Sequence, residues 1–402
     1  MGEECREAVP AMPPGSPPMG TGFFKPVRKA LERLHLAGAG RDKARNRLLF
    51  HDRYAGMPPM YFFNPAITSL RGLRQATGWE KVRRALGLRA TSTGSPGEAQ
   101  GVFDAKLLEP VVAELAAAAL PLSTGTEAEA LKGLTAVDGG FFAALPRMAW
   151  ALRRDDGHRS AKLHPHFDVL RGVPPRAGVT PGACSETAEP KRTPGKDRLH
   201  VLDRGHAGCG LFARIVAAGS SLIARVQKRT AYRDPKENGI GEKARDAGVL
   251  RDFAARRLGN GRHGDPIGRP MRIVVVRVGE RGAKRSDVWL ATDRLDLPAD
   301  PVALAYKYRW TIELFFRRLE RILGARHLVA QSRNGVLFQM YAAMIVSLPV
   351  ALRTGRKPTR RTFEIIQCHL LGWVSDAELD AELDAHLDAL ERGGAGSPKK
   401  IA

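Results

Sequence analysis

At Leu134 the spacing of the apolar residues changes, and that change limits the folds open to the chain more than any other feature. Between Pro26 and Ala130 apolar residues recur at helical spacing, as in residues 27–36 and 103–120. Beyond Leu134 they fall into short runs bounded by Gly and Pro, the pattern of strands. Residues 134–142 (LTAVDGGFF), 161–170 (AKLHPHFDVL), 200–205 (HVLDRG) and 221–227 (SLIARVQ) each read as strands, with a helix (LFARIVAAG) between the last two. A polar, Gly- and charge-rich stretch, 228–270, precedes two further strands, 272–279 and 287–292, and one long helix is expected over 299–323. The order predicts an α/β protein with a mixed sheet flanked by helices. A length of 402 residues allows two or three domains.

The balance of 64 Lys+Arg against 42 Asp+Glu leaves a formal charge of +22, mostly from arginine, whose planar fork suits phosphate. A strongly anionic partner is expected, nucleic acid or an anionic membrane surface; an Arg-heavy genome would give the same composition. A membrane-spanning reading fails because no stretch reaches about 18 unbroken apolar residues; the longest run, 340–352, contains Pro349. The N-terminal residues lack the apolar core of a secretory signal, and Cys5, Cys184, Cys209 and Cys368 are scattered without metal or disulfide spacing. These features predict a soluble protein of a reducing cytoplasm.

Three carboxylates stand where chemistry would want them. Asp138 lies within the first strand, before Gly139 and Gly140, which permit close approach of backbone or phosphate. Asp203 ends an apolar strand, and strand ends of an α/β sheet are where ligands bind. Glu313 lies in the long helix, with Tyr306, Arg309, Arg317 and Glu320 spaced to share its face. Carboxylates converging from separate elements suit two divalent ions about 3.5–4 Å apart, and all-oxygen ligands favour Mg²⁺. Any one of the three, taken alone, is equally a strand-end cap or a surface ion pair.

The segments TAVDGGFFAALPR, VLDRG and YRWTIELFFRRL together resemble those of the DDE transposases of bacterial insertion sequences, in the group marked by Y-x2-R-x3-E-x6-K. The signature falls on Tyr306, Arg309 and Glu313 with matching gaps, then departs: Glu320 stands at the lysine position. The likeness covers residues 99–328 well and the helical portion before them loosely. It implies a ribonuclease H-like mixed sheet flanked by helices, interrupted by a β-rich insertion, with a helical N-terminal domain. The expected organisation is a disordered tail (1–22), a helical DNA-binding region (23–130), the first part of the catalytic core (131–227), the insertion (228–298), the second part of the core (299–350), and a C-terminal helical region and tail (351–402).

The resemblance further implies that Asp138, Asp203 and Glu313 are catalytic and hold two Mg²⁺ ions, with Mn²⁺ able to substitute. Water would cleave the phosphodiester at the transposon end and the freed 3′-OH would attack target DNA, in this group commonly after forming a hairpin. Tyr306 and Arg309 would contact phosphates near the cut, and Arg317, Arg318 or Arg321 would substitute for the missing lysine. Arg204, Lys228 and Arg229 are further DNA-contact candidates. The partners implied are double-stranded DNA, both terminal inverted repeats and target, and a second copy of the chain in a synaptic homodimer, in the nucleoid-associated cytoplasm of a bacterium. A catalytically inactive DNA-binding descendant and a general ribonuclease H-like nuclease stand as alternatives.

Other positions carry weaker expectations. Residues 67–86 read as two short helices meeting at Thr77-Gly78, a helix-turn-helix or a plain hairpin. Ser95 and Glu98 have capping-box spacing. His164, His166 and Asp168 alternate onto one strand face, as a metal site or as sheet lining, while His206 reads as packing or DNA-facing. Cys209 lacks a base at defined spacing. The acidic repeat DAELDAELDAHLDAL predicts an amphipathic helix, and the last ten residues a disordered tail.

Overall fold

The structure, a computed structural model, describes residues 25–37, 49–83, 99–119, 126–143, 148–151, 160–184, 195–259, 267–279, 286–322, 330–354 and 360–394, except positions 36, 64–66, 68, 81, 100, 149 and 372. The expected N-terminal tail, the Ser95–Glu98 cap and residues 395–402 lie outside these spans. The chain divides into two units, residues 1–96 with 361–402, and residues 97–360.

Among the described residues the regular elements of the first unit are helices. It holds α1 (Lys25–Glu32), α2 (His51–Gly56), α3 (Pro58–Phe63) and α4 (Leu70–Ala76). Ser69 caps α4 by accepting from the Gly72 backbone N–H at 3.1 Å, and the helix stops at Thr77, whose hydroxyl turns back to the Arg74 carbonyl. The break at Thr77-Gly78 is therefore where the sequence puts it.

In the second unit a 3-10 turn (Ala105–Leu108) leads into α5 (Glu109–Ala118) and α6 (Thr126–Ala130), followed by β1 (Leu134–Val137), β2 (Gly140–Ala143), β3 (Ser160–Asp168), β4 (Val173–Pro181) and β5 (Leu199–Leu202). Next come α7 (Cys209–Ala217), β6 (Ser221–Val226), β7 (Tyr232–Glu237), α8 (Glu242–Asp246), β8 (Val249–Leu258), β9 (Met271–Val278) and β10 (Ser286–Thr292). Helices α9 (Ala299–Tyr308), α10 (Trp310–Ile322) and α11 (Arg333–Thr354) complete the unit, and α12 (Arg360–Leu370) and α13 (Asp376–Gly394) follow it in the chain. Among the described residues no helix is long and apolar enough to cross a membrane.

All ten strands join one mixed sheet, ordered β2-β3-β1-β5-β6-β10-β9-β8-β7, with β4 on the other side of β3. Strands β5 and β6 run parallel to β1, and the remaining pairs are antiparallel. Residues 228–298, expected as an insertion, continue the main sheet through the β6–β10 ladder. Within them the stretch read as merely polar contains β7, α8 and β8. Strand β7 (YRDPKE) is the exposed edge, and its proline and charges, which hide it from a search for alternation, suit an edge that must not pair further.

Strand β4 also goes unmarked in the sequence reading, because Pro174, Pro175 and Pro181 argue against a strand. Among the described residues it pairs with β3 alone, so its far side has no ladder there for the prolines to spoil. Side chains of α11 satisfy that side: Arg333 donates to the Val179 carbonyl at 2.8 and 3.0 Å, and the Tyr341 hydroxyl to the Ala177 carbonyl at 2.8 Å.

Residues 134–142 are not one strand. The ladder against β3 stops at Val137↔His166 and resumes at Gly140↔Leu163 in unchanged register, so Asp138 and Gly139 stand opposite Pro165 and His164. Proline has no N–H to give, and the pairing lapses there. The single helix expected over 299–323 is likewise two, α9 and α10, parted at Arg309. At the C-terminus, Gly393 and Gly394 belong to α13 and not to a tail.

Packing divides the two faces of the sheet. Leu211, Phe212 and Ile215 of α7 bury against Val137, Leu202, Leu222 and Ala224. The opposite face, which carries Phe167, receives α10 through Phe315 at 5.2 Å between ring centroids. The start of α9 is anchored by the buried Arg272, which bonds Asp252 of β8 (Nε to Oδ1, 2.8 Å) and the Leu297 carbonyl.

Gly139 is required by a neighbour on the α7 side of the sheet. A Cβ there would stand 2.2 Å from Cε of Lys162, so the end of this buried lysine side chain would have to shift. Gly139→Ala is expected to cost about 1–3 kcal/mol, as overpacking does, read as a melting temperature several degrees lower. Lys162→Ala in the same background should recover part of the loss, and strictly additive effects would contradict the contact.

Candidate active site

The β1–β5 register places the first two candidates together. The pairs run from Leu134↔Leu199 to Val137↔Leu202, and one position further along both strands stand Asp138 and Asp203. The β5–β6 register extends the same row: after Leu202↔Ala224 come Asp203 and Arg225, and the Arg225 guanidinium lies 3.7 Å from the Asp203 carboxylate. Each aspartate thus sits just past the last paired residue of its strand. Asp138 caps its own break, its Oδ1 accepting from the Gly139 N–H at 2.7 Å.

Helices α9 and α10 bring the third carboxylate and two more groups. The break between them is one tightened turn, in which the Arg309 N–H bonds the Tyr306 carbonyl and the Ile312 N–H bonds the Arg309 carbonyl, at 3.2 and 3.1 Å. The Arg309 side chain is only 10% exposed. Its guanidinium reaches Glu313 at 3.0 Å and Asp138 at 3.7 Å, and lies 5.7 Å from the centre of the Tyr306 ring. The Tyr306 hydroxyl donates to Asp203 Oδ1 at 3.3 Å. Burial works against the charge of Arg309, but the nearby charges of Asp203 and Glu313 outweigh it and hold its proton more tightly than usual.

Burial likewise acts to raise the Asp203 carboxyl. It is overcome by the Arg204 backbone N–H, the charges of Arg309 and Arg225 and the Tyr306 hydroxyl, and the group titrates below its ordinary value. Tyr306 moves the other way, raised by burial and by the negative charge of Asp203. Asp203 is ionised and Tyr306 neutral at physiological pH.

The remaining candidates divide. Arg204, Lys228 and Arg229, with Arg225, line an open groove of about 720 Å³ that starts beside Asp203 and has Trp289 in its wall. Arg317 is exposed on α10. The side chains of Arg318, Glu320 and Arg321 lie outside the described residues. Arg225 went unnoticed in the sequence because only strand register reveals it. His164, His166 and Asp168 are buried on one face of β3, His206 is buried, and Cys209 packs against the apolar core. Burial and neighbouring positive charge, that of Arg176 foremost, depress the His166 imidazole well below its usual range, so it is neutral. Among the described residues no three His, Cys, Asp or Glu side chains are close enough together to hold a metal ion as they stand.

Residues 132–348, more than half the chain, match the family model described as the transposase DDE domain. Protein y4zB of Sinorhizobium fredii, which carries a provisional name as a transposase, is 27% identical over 217 residues, 52% of this chain and 57% of that one. The chain therefore spans little more than half the length of this relative. A cryo-EM structure of the piggyBac transposase synaptic complex with hairpin DNA covers 94% of this chain and 81% of its own, at 10% identity and a TM-score of 0.40, too loose a superposition to carry argument.

The Tyr306 contact makes a direct prediction. Because Asp203 titrates lower in the folded than in the unfolded chain, its contribution to stability is present above the ordinary carboxylate range and is lost as pH falls through the folded value. In Tyr306→Phe the carboxyl should titrate higher than in the parent, by ¹³C NMR of labelled aspartate; an unchanged or lower midpoint would show that the hydroxyl does not support the charge.

Proposed function

From the premise that this chain belongs to the transposase DDE domain family, of the kind found in bacterial insertion sequences, we propose that it binds the ends of such an element and catalyses metal-dependent DNA strand cleavage and strand transfer. The observation that carries the reading is the convergence of Asp138, Asp203 and Glu313, far apart in sequence, around the one guanidinium of Arg309. A ribonuclease H-like core is supported by the strand order β4-β3-β1-β5-β6, an antiparallel meander whose first strand continues into two parallel ones. On this reading residues 23–130 form the DNA-binding region, 131–227 and 299–350 the core, 228–298 the insertion, and 351–402 the C-terminal region.

The donor set fits Mg²⁺, and Mn²⁺ in its place: three carboxylates supply hard oxygen ligands, and Asp203 is held ionised. Bound there, two such ions would activate the attacking oxygen and stabilise the leaving one. The chain's own groups supply the rest. Tyr306 and Arg225 fix Asp203 from the helix and sheet sides, and Arg309 does the same for Glu313 and Asp138. Arg204, Arg225, Lys228 and Arg229 form a cationic groove leading from the carboxylates, suited to the phosphates of a double-stranded end, with Arg317, Arg318 and Arg321 as further contacts. A homodimer would pair two ends, and the same site would receive target DNA.

The decisive experiment presents the protein with supercoiled DNA carrying its element's terminal inverted repeats, with Mg²⁺ or Mn²⁺. Cleavage at the repeats is expected, and Asp138→Ala, Asp203→Ala or Glu313→Ala should each lower the rate by more than roughly a hundredfold, beyond what loss of a group that only orients a ligand costs. Cleavage indifferent to the repeats would instead favour a general nuclease. Glu320, a carboxylate where the family signature has lysine, favours a second reading, an inactive DNA-binding descendant, for which tight binding without cleavage is the diagnostic result. Under either transposase-derived reading affinity should fall steeply with salt, by roughly 10³–10⁵ between 50 and 200 mM if six to ten phosphates are contacted. A flat profile would contradict the groove assignment.

A further inference from the structure

Arg309 occupies an unusual position for a residue that would serve only as a phosphate contact. It is buried, its guanidinium lies within salt-bridge distance of both Asp138 and Glu313, and its charge also acts on Asp203. Three carboxylates drawn together without a counter-charge would repel one another, and each would take up a proton more readily. Arg225 lies 3.7 Å from the Asp203 carboxylate on the sheet side.

We propose that Arg309 is the resident counter-ion of the metal-free site, a guanidinium that holds the three carboxylates until divalent cations take them over and is displaced when they do. The inference rests on the metal-site reading above and adds a competition to it. A lone pair of Glu313 that accepts the Arg309 N–H is not available to a metal ion, and the separation of the carboxylates about the guanidinium agrees with their forming no ready-made metal cluster. The tightened turn at Arg309 gives the exchange a place to occur, since the residue lies between two helices and not inside one. A guanidinium released from its carboxylates becomes available to an incoming phosphate, so metal loading and DNA engagement would be coupled through one side chain.

The test uses the full chain without DNA and measures Mn²⁺ binding by titration calorimetry or by the electron paramagnetic resonance of free Mn²⁺. If Arg309 competes, Arg309→Gln should bind Mn²⁺ about tenfold more tightly than the parent, the equivalent of one charge-assisted hydrogen bond that no longer has to be broken. The same variant should melt at a lower temperature without metal and gain more degrees on adding it. Arg309→Lys, which keeps the charge but loses the fork, should fall between the two and serves if the glutamine variant does not fold. In the parent, titration with Mg²⁺ should shift the Arg309 side-chain N–H resonance, assigned by its absence from the variants.

Equal or weaker Mn²⁺ binding in both folded variants, or an Arg309 resonance indifferent to Mg²⁺, would overturn the proposal and leave Arg309 as a fixed support. Failure of the metal-site reading looks different: the parent and both variants would bind no Mn²⁺, or bind it with an affinity that Asp138→Asn does not change.

Discussion

Two carboxylates side by side on neighbouring parallel strands are the constraint around which the second unit is arranged. The β1–β5 register leaves no choice about it, since Asp138 and Asp203 follow the last pair of a ladder whose other residues are buried, all of them apolar but Thr135 and His200. A one-residue slip of either strand would relieve the repulsion but would turn Val137 or Leu202 out of the core they share with α7. The charges must therefore be met where they stand. Arg225 meets one from the next strand, and α9 and α10 deliver Tyr306 and Arg309 from above the sheet. Those helices are held at both ends of their run, by the Arg272–Asp252–Leu297 linkage where α9 begins and by Phe315 on Phe167 within α10.

The sequence could be read where burial alone decides structure. Strands β5, β6, β9 and β10 are short apolar runs between Gly, Pro or charge, and the structure has β6, β9 and β10 within a residue of their expected limits, while β5 stops three residues early, before Asp203. It was opaque where a neighbour decides. Nothing local to VPPRAGVTP indicates that α11 will satisfy its far edge, and nothing in YRDPKE indicates that β8 will pair with it. One local signal was there to be taken: Ser375 and Glu378 form a reciprocal capping box at the start of α13, each accepting the other's backbone N–H. For the candidate site, residue type and spacing singled out the three carboxylates and their helix partners. Arg225 and the proximity of Lys162 to Gly139 depend on cross-strand register, which spacing along one strand does not contain.

A net charge of +22 suggests a uniformly cationic surface, and the arrangement of charge says otherwise. Lys228 and Arg229 at the mouth of the groove are exposed, whereas Arg309 is buried among carboxylates and adds nothing to the outward field. The basic excess thus serves two separate ends. Exposed arginines and lysines act at a distance on a polyanion and are screened by salt. Buried Arg309 acts at contact range, where screening is weak and geometry decides.

Both regular elements that build the candidate site are interrupted at the residues that meet there. The β1–β2 line lapses at Asp138 because Pro165, on the facing strand, has no N–H to offer, and the α9–α10 line tightens at Arg309 into bonds of the shorter, three-residue kind. Had the strand continued, ladder bonds would have fixed the backbone of Asp138 within the sheet and left its carboxylate in a closed row. In each case a local rule of secondary structure is set aside at a position where a charged side chain meets the others of the candidate site, while the register and packing around it hold firm. Breaks of this kind, falling at the same place in two elements that are otherwise regular, mark a site more sharply than the type of any single residue within it.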